Sequence, residues 1–492
     1  MMVSDKLSSN INSNVQNISS CLPSNLNLIN RSITIAENIR CNLIFISGIA
    51  DKKDVHDVII KPLLDKNVYL SGSGNNVINE LLEKYIYCPE VAINNSINII
   101  CQEVLNGKCA LLIEDLDKAI ICNVTSSNYR RISESTTEKS ILGSKESFVE
   151  DINLNITMLQ RKIKNSNLKI EKYVIGQQTN TDVSLLYIKG TIDSLVLEKI
   201  KQKISAIKIP AVSYSGILEQ LIDDKPFNIF PIGKTTEKPD KVVFDLIEGK
   251  AALLIAEYPG ALIVPATLME FFQGTEDYNE KPILANFSRI LRFIAMLIVM
   301  TLEPIYLTLL YYNPELFPYK LISIVISSRQ NIPFPPFIEI LAMDLAVEIL
   351  REGGLRLPNP IGTTLAIVGG IVIGEAATRA GLVSNITLFI VALTVISTFC
   401  IPNYQMAITM RFIRFPLLIL AQIFGFYGLL IGYYFELVII TKIESFGVPY
   451  FSPFIPMRFS DISDTIIRGT IRNIFKKPKS LSPSKKTKQT IP

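Results

Sequence analysis

The sequence predicts an α/β soluble N-terminal half made of two tandem αβ modules, followed by an all-α polytopic membrane domain. Three observations lead to this fold class. Short apolar strands alternate with amphipathic segments up to about residue 270. Two blocks of this half recur later in the chain at one fixed offset. From about Asn286 to Met457, apolar segments are long enough to cross a bilayer.

Composition limits the chemistry of the chain. Its 492 residues carry a net charge of only +4, so no nucleic-acid partner is predicted. With His56 as the single histidine, a histidine-based triad or a multi-histidine metal site is excluded. The seven cysteines lack CxxC spacing and are expected to be free thiols in a reducing compartment. We predict no enzyme activity, no catalytic set, no metal site and no cofactor.

Residues 1–34 are rich in serine and asparagine, and this composition predicts a disordered tail. They contain no apolar segment of the kind found in signal peptides. The half that follows is therefore expected to stay on the cytoplasmic side of the membrane.

An internal repeat predicts the two modules, which we place at 35–139 and 171–285. The matching blocks are Asn42–Asp51 with Ser184–Asp193, and Leu105–Ile113 with Ile247–Ile255. Both matches have the same offset of 142 residues, which is not expected by chance. Each module is predicted to end in a β-hairpin, the second one turning at Tyr258-Pro259-Gly260. The Gly-Lys pairs at 107–108 and 249–250 lack a phosphate-loop frame and indicate turns.

Residues 140–170 separate the modules and predict a helical linker. Its apolar residues recur near heptad spacing, at Phe148, Ile152, Ile156, Leu159 and Ile163. Such a helix could pack between the modules or against a neighbouring subunit. The sequence does not distinguish between these two arrangements.

The membrane domain is placed at 286–457, with about four spans and one amphipathic or re-entrant helix. The predicted spans are Leu291–Tyr312, Ile361–Leu382, Val383–Ile401 and Phe415–Ile440. Small residues recur at helical spacing and predict helix packing faces. These are Ala366, Gly370, Gly374 and Thr378 on one face, and Ala421 and Gly425 on another, with Gly428 and Gly432 beside them.

An acidic stripe is predicted on the Pro-flanked helix Phe337–Arg351. At 100° per residue, Asp344, Glu348 and Glu352 fall within about 80° of one another, and Glu339 lies in the same segment. In a symmetric oligomer the stripe would form carboxylate rings that select cations. The alternative is an amphipathic helix lying on the membrane surface with its acids in water.

Three further charges lie deep in apolar segments: Glu303, Glu375 and Arg379. Burial inside the bundle is expected, because lipid exposure of each would cost about 2.5–3.5 kcal/mol. Glu375 and Arg379 are four residues apart and can pair, in a structural or gating role. The basic tail at 458–492 is predicted to be cytoplasmic, whereas Arg411 and Arg414 conflict with a four-span topology.

Several long motifs of this sequence resemble those of a known protein family. The chain resembles the GerA family, the A-subunits of bacterial spore germinant receptors. The matching segments are LIEGKAALLI (246–255), FFQGTEDY (271–278), NIPFPPFIEILAMDLAVEILREGGLRLPNPIG (331–362), IVGGIVIGEAATRAG (367–381), IPNYQMAITMRFIRFPL (401–417) and SFGVPYFSPFIP (445–456). Glu303 and Arg379 depart from the family pattern, which usually has an apolar residue and a glutamine there.

The resemblance implies an integral, multi-pass protein of the spore inner membrane with its αβ modules facing the spore core. It implies a homo-oligomer, expected to be a pentamer, that forms a germinant-gated channel for monovalent cations. The implied partners are a germinant-binding B-subunit, a lipoprotein C-subunit and membrane lipid. The alternatives are a non-conducting scaffold that relays the signal, and the amplifier branch encoded with the dipicolinate channel.

Overall fold

A computed structural model describes most of the chain. The described residues are 6–22, 28–35, 39–47, 49–65, 75–124, 138, 144–212, 214–225, 227–274, 276–357, 369–370, 372–458, 465, 467–469 and 481. The chain divides into two compact units. The first comprises Met1–Pro226, Gly233–Pro265 and Phe475–Pro492, and the second comprises Phe227–Ile232 and Ala266–Ile474.

The first unit contains two five-stranded sheets with the same topology. The strands of the first sheet are β1 (Leu28–Ile35), β2 (Ile39–Ile46), β3 (Val91–Asn94), β4 (Cys109–Ile113) and β5 (Ala119–Cys122). Those of the second are β6 (Leu168–Ile175), β7 (Thr181–Ile188), β8 (Lys234–Thr236), β9 (Ala251–Ile255) and β10 (Ala261–Val264). The strand orders are β1-β2-β4-β5-β3 and β6-β7-β9-β10-β8. Every strand pair is antiparallel, so the two sheets are of the α+β kind.

The strand register repeats as well. Leu43 lies opposite Leu111 in the first sheet, and Leu185 lies opposite Leu253 in the second. Adding 142 to both residue numbers of the first pair gives the second pair, which is the offset found in the sequence. The two predicted hairpins are β4–β5 and β9–β10, and their strands are fully buried. The repeat therefore extends from the sequence to the pairing of individual residues.

Helices cover the sheets. In the first module they are α1 (Ile11–Cys21), α2 (Lys52–Asp54), α3 (Lys61–Leu63), α4 (Asn75–Lys84) and α5 (Ile97–Leu105), with a π-helical segment Val55–Ile60 between α2 and α3. In the second they are α6 (Ile152–Lys162), α7 (Ser194–Ala206), α8 (Ser215–Ile222) and α9 (Pro239–Glu248). Apolar side chains of the helices pack with the strands into a core on each face of the first sheet. In the second module, α6 and α9 form such a core on one face of the sheet.

The N-terminal segment differs from the predicted disordered tail at 1–34. Residues 11–21 form α1, and Ile11, Ile18 and Leu22 are buried in the core of the first module. Asn10 caps this helix, its side chain accepting from the main-chain N–H groups of Asn12 and Ser13. The apolar residues follow helical spacing, but serine and asparagine surround them, so composition alone predicted disorder.

The linker predicted at 140–170 also differs from expectation. Only Ile152–Lys162 is helical among its described residues, and this helix lies in the core of the second module rather than between modules. A buried asparagine marks α6 as the counterpart of α1. Asn155 donates to the Val149 carbonyl (2.6 Å) and accepts from its N–H (2.9 Å). Asn14 makes the same two bonds to Ser8, at 2.6 and 2.9 Å.

The Gly-Lys pairs form helix C-termini, as the turn interpretation predicts. Gly107 and Gly249 have φ of 95° and 104°, a left-handed conformation that favours glycine. The lysine that follows pairs with an acid on the preceding helix. Lys108 lies 2.5 Å from Glu103, and Lys250 lies 2.5 Å from Asp245. Both repeats therefore use the lysine to fix the start of a central strand to a helix.

The Asp245 ion pair predicts a measurable stability effect. Asp245→Asn should lower the free energy of unfolding by about 3 kcal/mol, because removing one partner of a buried pair leaves the other charge poorly compensated. Lys250 is 2 % exposed, and the carboxylate of Glu248 lies farther from it, at 3.7 Å. Thermal unfolding of the detergent-solubilised chain, with hydrogen exchange of β9, measures the change. Asp240→Asn on the same helix is the control, since its pair with Lys162 is partly exposed.

The pH dependence of the same pair has a defined sign. Burial opposes ionisation of Asp245, but the charges and hydrogen bonds of Lys234 and Lys250 outweigh it and lower the pKa to about 2. A depressed folded-state pKa contributes stability at neutral pH, and this contribution, about 2 kcal/mol, is lost as the pH falls from about 4 towards 2. Equal acid sensitivity of the wild-type chain and Asp245→Asn would contradict the assignment.

The second unit is helical. Its helices are α10 (Glu276–Asn279), α11 (Pro282–Tyr311), α12 (Tyr319–Arg329), α13 (Pro336–Leu355), α14 (Asn385–Thr398) and α15 (Tyr404–Lys442), with 3-10 turns at Leu268–Phe272 and Pro314–Leu316. A two-stranded hairpin of β11 (Glu444–Ser445) and β12 (Val448–Pro449) follows. The unit begins at Ala266, earlier than the predicted boundary at 285, because Phe271 and Phe230 pack against Tyr450.

Among the described residues, α11 and α15 are long and apolar enough to cross a membrane by length and composition, although α15 is interrupted at Gly425. The predicted span Leu291–Tyr312 falls almost entirely within α11, and the acidic segment forms α13. The span predicted at Val383–Ile401 contains only the shorter apolar helix α14. Most of the first half of the span predicted at 361–382, including Ala366, lies outside the described residues. The number of crossings stays a prediction.

The segment predicted as a straight span at Phe415–Ile440 is broken inside α15. Gly425 has φ 57° and ψ −135°, so α15 consists of two helical arms, 404–424 and 426–442. A Cβ at Gly428 would lie 2.0 Å from the Leu420 carbonyl oxygen, and one at Gly432 would lie 2.5 Å from a Leu417 methyl group. In a straight helix, positions 15 residues apart are separated by about 22 Å. The arms therefore fold back on each other as a helical hairpin.

Candidate functional site

Helices α11, α13, α14 and α15 enclose a small apolar core in the second unit. Tyr306, Ile340, Val391 and Leu418 contribute to it, one from each helix. Helix α11 contains Pro304, and the first arm of α15 contains Pro416. Charged side chains that enter this core must be paired, because an isolated buried charge is strongly unfavourable.

Three charged side chains meet in this core and form the triad Glu303–Asp344–Arg414. Arg414 of α15 donates through one terminal nitrogen to Oε1 of Glu303 on α11, at 3.2 Å. Its other terminal nitrogen lies 2.9 Å from Oδ1 of Asp344 on α13. The side chains of Glu303 and Asp344 are fully buried, and that of Arg414 is 2 % exposed. One guanidinium group thus links three helices.

A second ion pair lies about one helical turn away. Arg411 of α15 donates to Oε2 of Glu348 on α13 at 2.6 Å, and Arg351 lies 3.6 Å from the other carboxylate oxygen. Arg411 and Arg414 therefore face acids of neighbouring helices inside the unit. They do not lie in a loop, and the positive-inside rule, which concerns loop residues near span ends, does not apply to them.

A third buried acid connects the start of α13 to its neighbours. Glu339 lies 2.7 Å from Arg329 at the end of α12, and it accepts a hydrogen bond from the Ser384 N–H at 3.0 Å. Ser384 is the N-cap of α14, and its hydroxyl accepts from the Thr387 N–H. Glu339 thus helps to fix α12, α13 and the beginning of α14 relative to one another.

The predicted acidic stripe does not lie in a uniform environment. From Asp344 through Glu348 to Glu352, the side-chain exposure rises from 0 % to 29 % to 64 %. Glu352 pairs with Arg356 on its own helix at 2.8 Å. The N-terminal half of α13 contains all of the buried residues of this helix, whereas those of its C-terminal half are partly or fully exposed.

The predicted pair Glu375–Arg379 is present, at 2.5 Å, but the burial expected for it is wrong for the single chain, because both side chains are more than half exposed. Thr378 donates to the Gly374 carbonyl of its own helical turn. Nothing lies within 4 Å of where a Cβ would stand on Gly370, and on Gly374 only Leu388 does, at 3.6 Å. Of the two glycines on the predicted small-residue face, Gly374 therefore contacts another helix and Gly370 does not.

The second predicted packing face has a different role. Ala421 is fully buried, but Gly425 forms the reversal of α15 instead of a helix contact. The Tyr312 ring lies against this turn, 2.8 Å from a Cβ placed on Gly425, and its hydroxyl donates to the carbonyls of Gln422 and Ile423 at 2.7 and 3.1 Å. The end of α11 thus satisfies carbonyls at the end of the first arm.

Sequence reasoning missed three basic members of the site: Arg329, Arg411 and Arg414. Arg411 and Arg414 are three residues apart and therefore share one helix face, which could have indicated partners for the acids of α13. The sequence analysis considered these two arginines only as indicators of membrane topology. Arg329 lies in α12, which was not among the predicted helices.

Comparison with known proteins places this chain among spore germination proteins. The family model for the Bacillus/Clostridium GerA spore germination protein matches residues 16–480. Spore germination protein KA of Bacillus subtilis is 36 % identical over 99 % of this chain and 89 % of its own length. Spore germination protein GerQA of Bacillus cereus is 38 % identical over 85 % of each chain. Spore germination protein A1 of Bacillus subtilis is 34 % identical over 94 % of this chain and 93 % of its own.

A solved structure also matches part of the chain. It is the N-terminal domain of the A subunit of the Bacillus megaterium spore germinant receptor GerK3, with 25 % identity and a TM-score of 0.42. The match covers 55 % of this chain and 99 % of that one. The family assignment depends on the sequence matches, which extend over nearly the whole chain. The chain therefore belongs to the Bacillus/Clostridium GerA family of spore germination proteins.

Proposed function

We propose that this chain is the A-subunit of a nutrient germinant receptor in the spore inner membrane, and that its copies surround a gated path for monovalent cations. The family membership supports the role in germination, and the two long apolar helices support a membrane location. In this proposal the αβ modules face the spore core. The expected partners are further copies of the chain, expected to form a pentamer, a germinant-binding B-subunit and a lipoprotein C-subunit.

The observation that carries the conduction proposal is the two-part character of α13. Its first half is held inside the chain by the ion pairs of Glu339 and Asp344. Its second half has no buried residue and carries Glu348, which is 29 % exposed and paired with Arg411, and Glu352, which is 64 % exposed. Acids on a rigidly held helix would form rings around the axis of a symmetric oligomer, and such rings select cations.

The difference between the two halves of α13 assigns different roles to the acids of the predicted stripe. Glu348 and Glu352 line the cation path, while Asp344 and Glu339 position the helix that carries them. Glu303 belongs with Asp344, since both contact Arg414. The exposed pair Glu375–Arg379 is assigned to gating contacts between subunits.

The test replaces both lining acids at once. Spores carrying Glu348→Gln together with Glu352→Gln should release potassium severalfold more slowly after addition of nutrient broth, because the rings lose their charge. A potassium electrode measures the release, and immunoblotting of the inner-membrane fraction checks that the protein is present at the wild-type level. Glu315→Gln, an exposed acid in the loop after α11, is the matched control and should leave release unchanged.

Two outcomes contradict the proposal. Release at the wild-type rate from the double variant would show that α13 does not line the path. Absence of any potassium conductance from the complete receptor in planar bilayers, under conditions in which spores respond, would favour the non-conducting scaffold.

A further inference from the structure

The triad Glu303–Asp344–Arg414 has an imbalance of charge. It contains two carboxyl groups and one guanidinium group, so with both carboxyls ionised its net charge would be −1. Arg411 does not correct this, because it lies against Glu348 at 2.6 Å. A net charge in a fully buried cluster costs several kcal/mol. A further positive charge is therefore expected at the triad itself.

The hydrogen-bond partners of the two carboxyl groups indicate where that positive charge lies. Oε2 of Glu303 and Oδ2 of Asp344 are buried and have no hydrogen-bond partner among the described residues. The two carboxyl groups lie within hydrogen-bonding reach of each other. Ionised carboxylates can only accept hydrogen bonds. Two ionised carboxylates this close in a dry core, each with an oxygen that lacks a hydrogen-bond partner, need a donor between them.

Neighbouring side chains do not supply a donor shared by the two carboxyl groups. The Thr394 hydroxyl on α14 lies within hydrogen-bonding reach of Glu303, but it has one proton and also lies 3.1 Å from the Ile390 carbonyl, to which it donates. Helix α14 carries no titratable side chain. On α13 the nearest charged groups are Glu348 and Arg351, which lie within 4 Å of each other, and on α15 the nearest is Arg411.

We propose that the triad is a proton-binding site, in which one proton is shared between the carboxyl groups of Glu303 and Asp344. The O–H of one carboxyl then donates to an oxygen of the other, and the remaining negative charge is balanced by Arg414. The cluster is neutral in this state. A proton fits better than a metal ion, because the guanidinium group already contacts both acids and would repel a second cation. The described residues also contain no group of three or more acidic, cysteine or histidine side chains suited to a metal.

The site has a consequence for the whole helical unit. Its three groups come from α11, α13 and α15, so release of the proton would leave a net negative charge at the point where these helices meet. The packing of α13 against α11 and α15 would then loosen. Proton occupancy thereby controls the position of the helix that carries Glu348 and Glu352. The binding site itself does not depend on conduction, and its test measures the carboxyl group rather than ion flux.

Infrared difference spectroscopy of the full-length chain in lipid tests the site. At neutral pH the wild-type chain should show a protonated-carboxyl C=O band that shifts in deuterated water. Glu303→Gln and Asp344→Asn should each abolish this band, because the remaining carboxylate pairs with Arg414 and an amide N–H replaces the shared proton. Both variants should remain folded, and circular dichroism measures whether their helix content equals that of the wild-type chain. Glu315→Gln should keep the band.

Two results would overturn the assignment. A band that survives in both triad variants would belong to another acid. A band that disappears when potassium replaces choline as the only cation would show that an alkali ion, not a proton, occupies the site.

Discussion

Arg414→Gln should destabilise the helical unit by about 3–5 kcal/mol, since removing one partner of a buried ion pair leaves uncompensated charge. The effect should be at the upper end of this range, because Arg414 serves two buried carboxyl groups, Glu303 and Asp344. Thermal unfolding of the detergent-solubilised chain, followed by circular dichroism, measures the loss. Arg379→Gln is the matched control, because that arginine and its partner Glu375 are mostly exposed, and exposed pairs contribute at most about 1 kcal/mol.

A second substitution separates charge from packing. Asp344→Asn combined with Arg414→Gln leaves Glu303 as the only carboxyl group of the triad, and Glu303 can then be protonated and neutral. If buried charge causes the defect, the double variant should recover part of the stability lost in Arg414→Gln. A double variant less stable than the single one would assign the defect to lost packing of the arginine side chain instead.

Gly428→Ala should open the helical hairpin of α15. The added Cβ would lie 2.0 Å from the Leu420 carbonyl oxygen, and main-chain atoms cannot move aside as a flexible side chain can. Overpacking of this kind costs about 3 kcal/mol, unless the arms separate. Hydrogen exchange over 417–432 should therefore rise, and the melting temperature should fall.

The control for this substitution is Gly353→Ala in α13. No atom lies within 4 Å of a Cβ at that position, so alanine should be tolerated and should favour the helix slightly. Equal stability of Gly428→Ala and Gly353→Ala would mean that the two arms of α15 do not pack as described.

The internal repeat shows which features of the fold can be predicted from local sequence patterns. The strands around Leu43 and Leu185 are short apolar runs bounded by turn residues, and the pair Leu43–Leu111 recurs as Leu185–Leu253 at the predicted offset of 142. The repeat in the sequence therefore predicts that the second module has the same strand pairing as the first. The N-terminal helix α1 was missed for the opposite reason. Its buried residues Ile11 and Ile18 are few among serines and asparagines, and they gain stability only by contact with strands that come later in the chain.

The helical unit shows the limit of the same reasoning. Gly425 has the same neighbours in sequence whether it lies on a packing face or forms a reversal, and only contact with Tyr312 and between the two arms decides which. The acids of α13 could be placed on one helical stripe from their spacing. Their burial could not, because it depends on Arg329, Arg411 and Arg414 from helices far along the chain.

By itself the sequence determined the family, the two αβ modules, the apolar character of the second half and the presence of acids within it. Only the tertiary structure decided which acids are buried, which arginine balances them and where the longest apolar segment reverses. The physical reason is distance along the chain. Turns, strand alternation and helical periodicity depend on neighbouring residues, whereas a buried ion pair depends on which helices meet. Glu303 and Arg414 are 111 residues apart and lie 3.2 Å from each other.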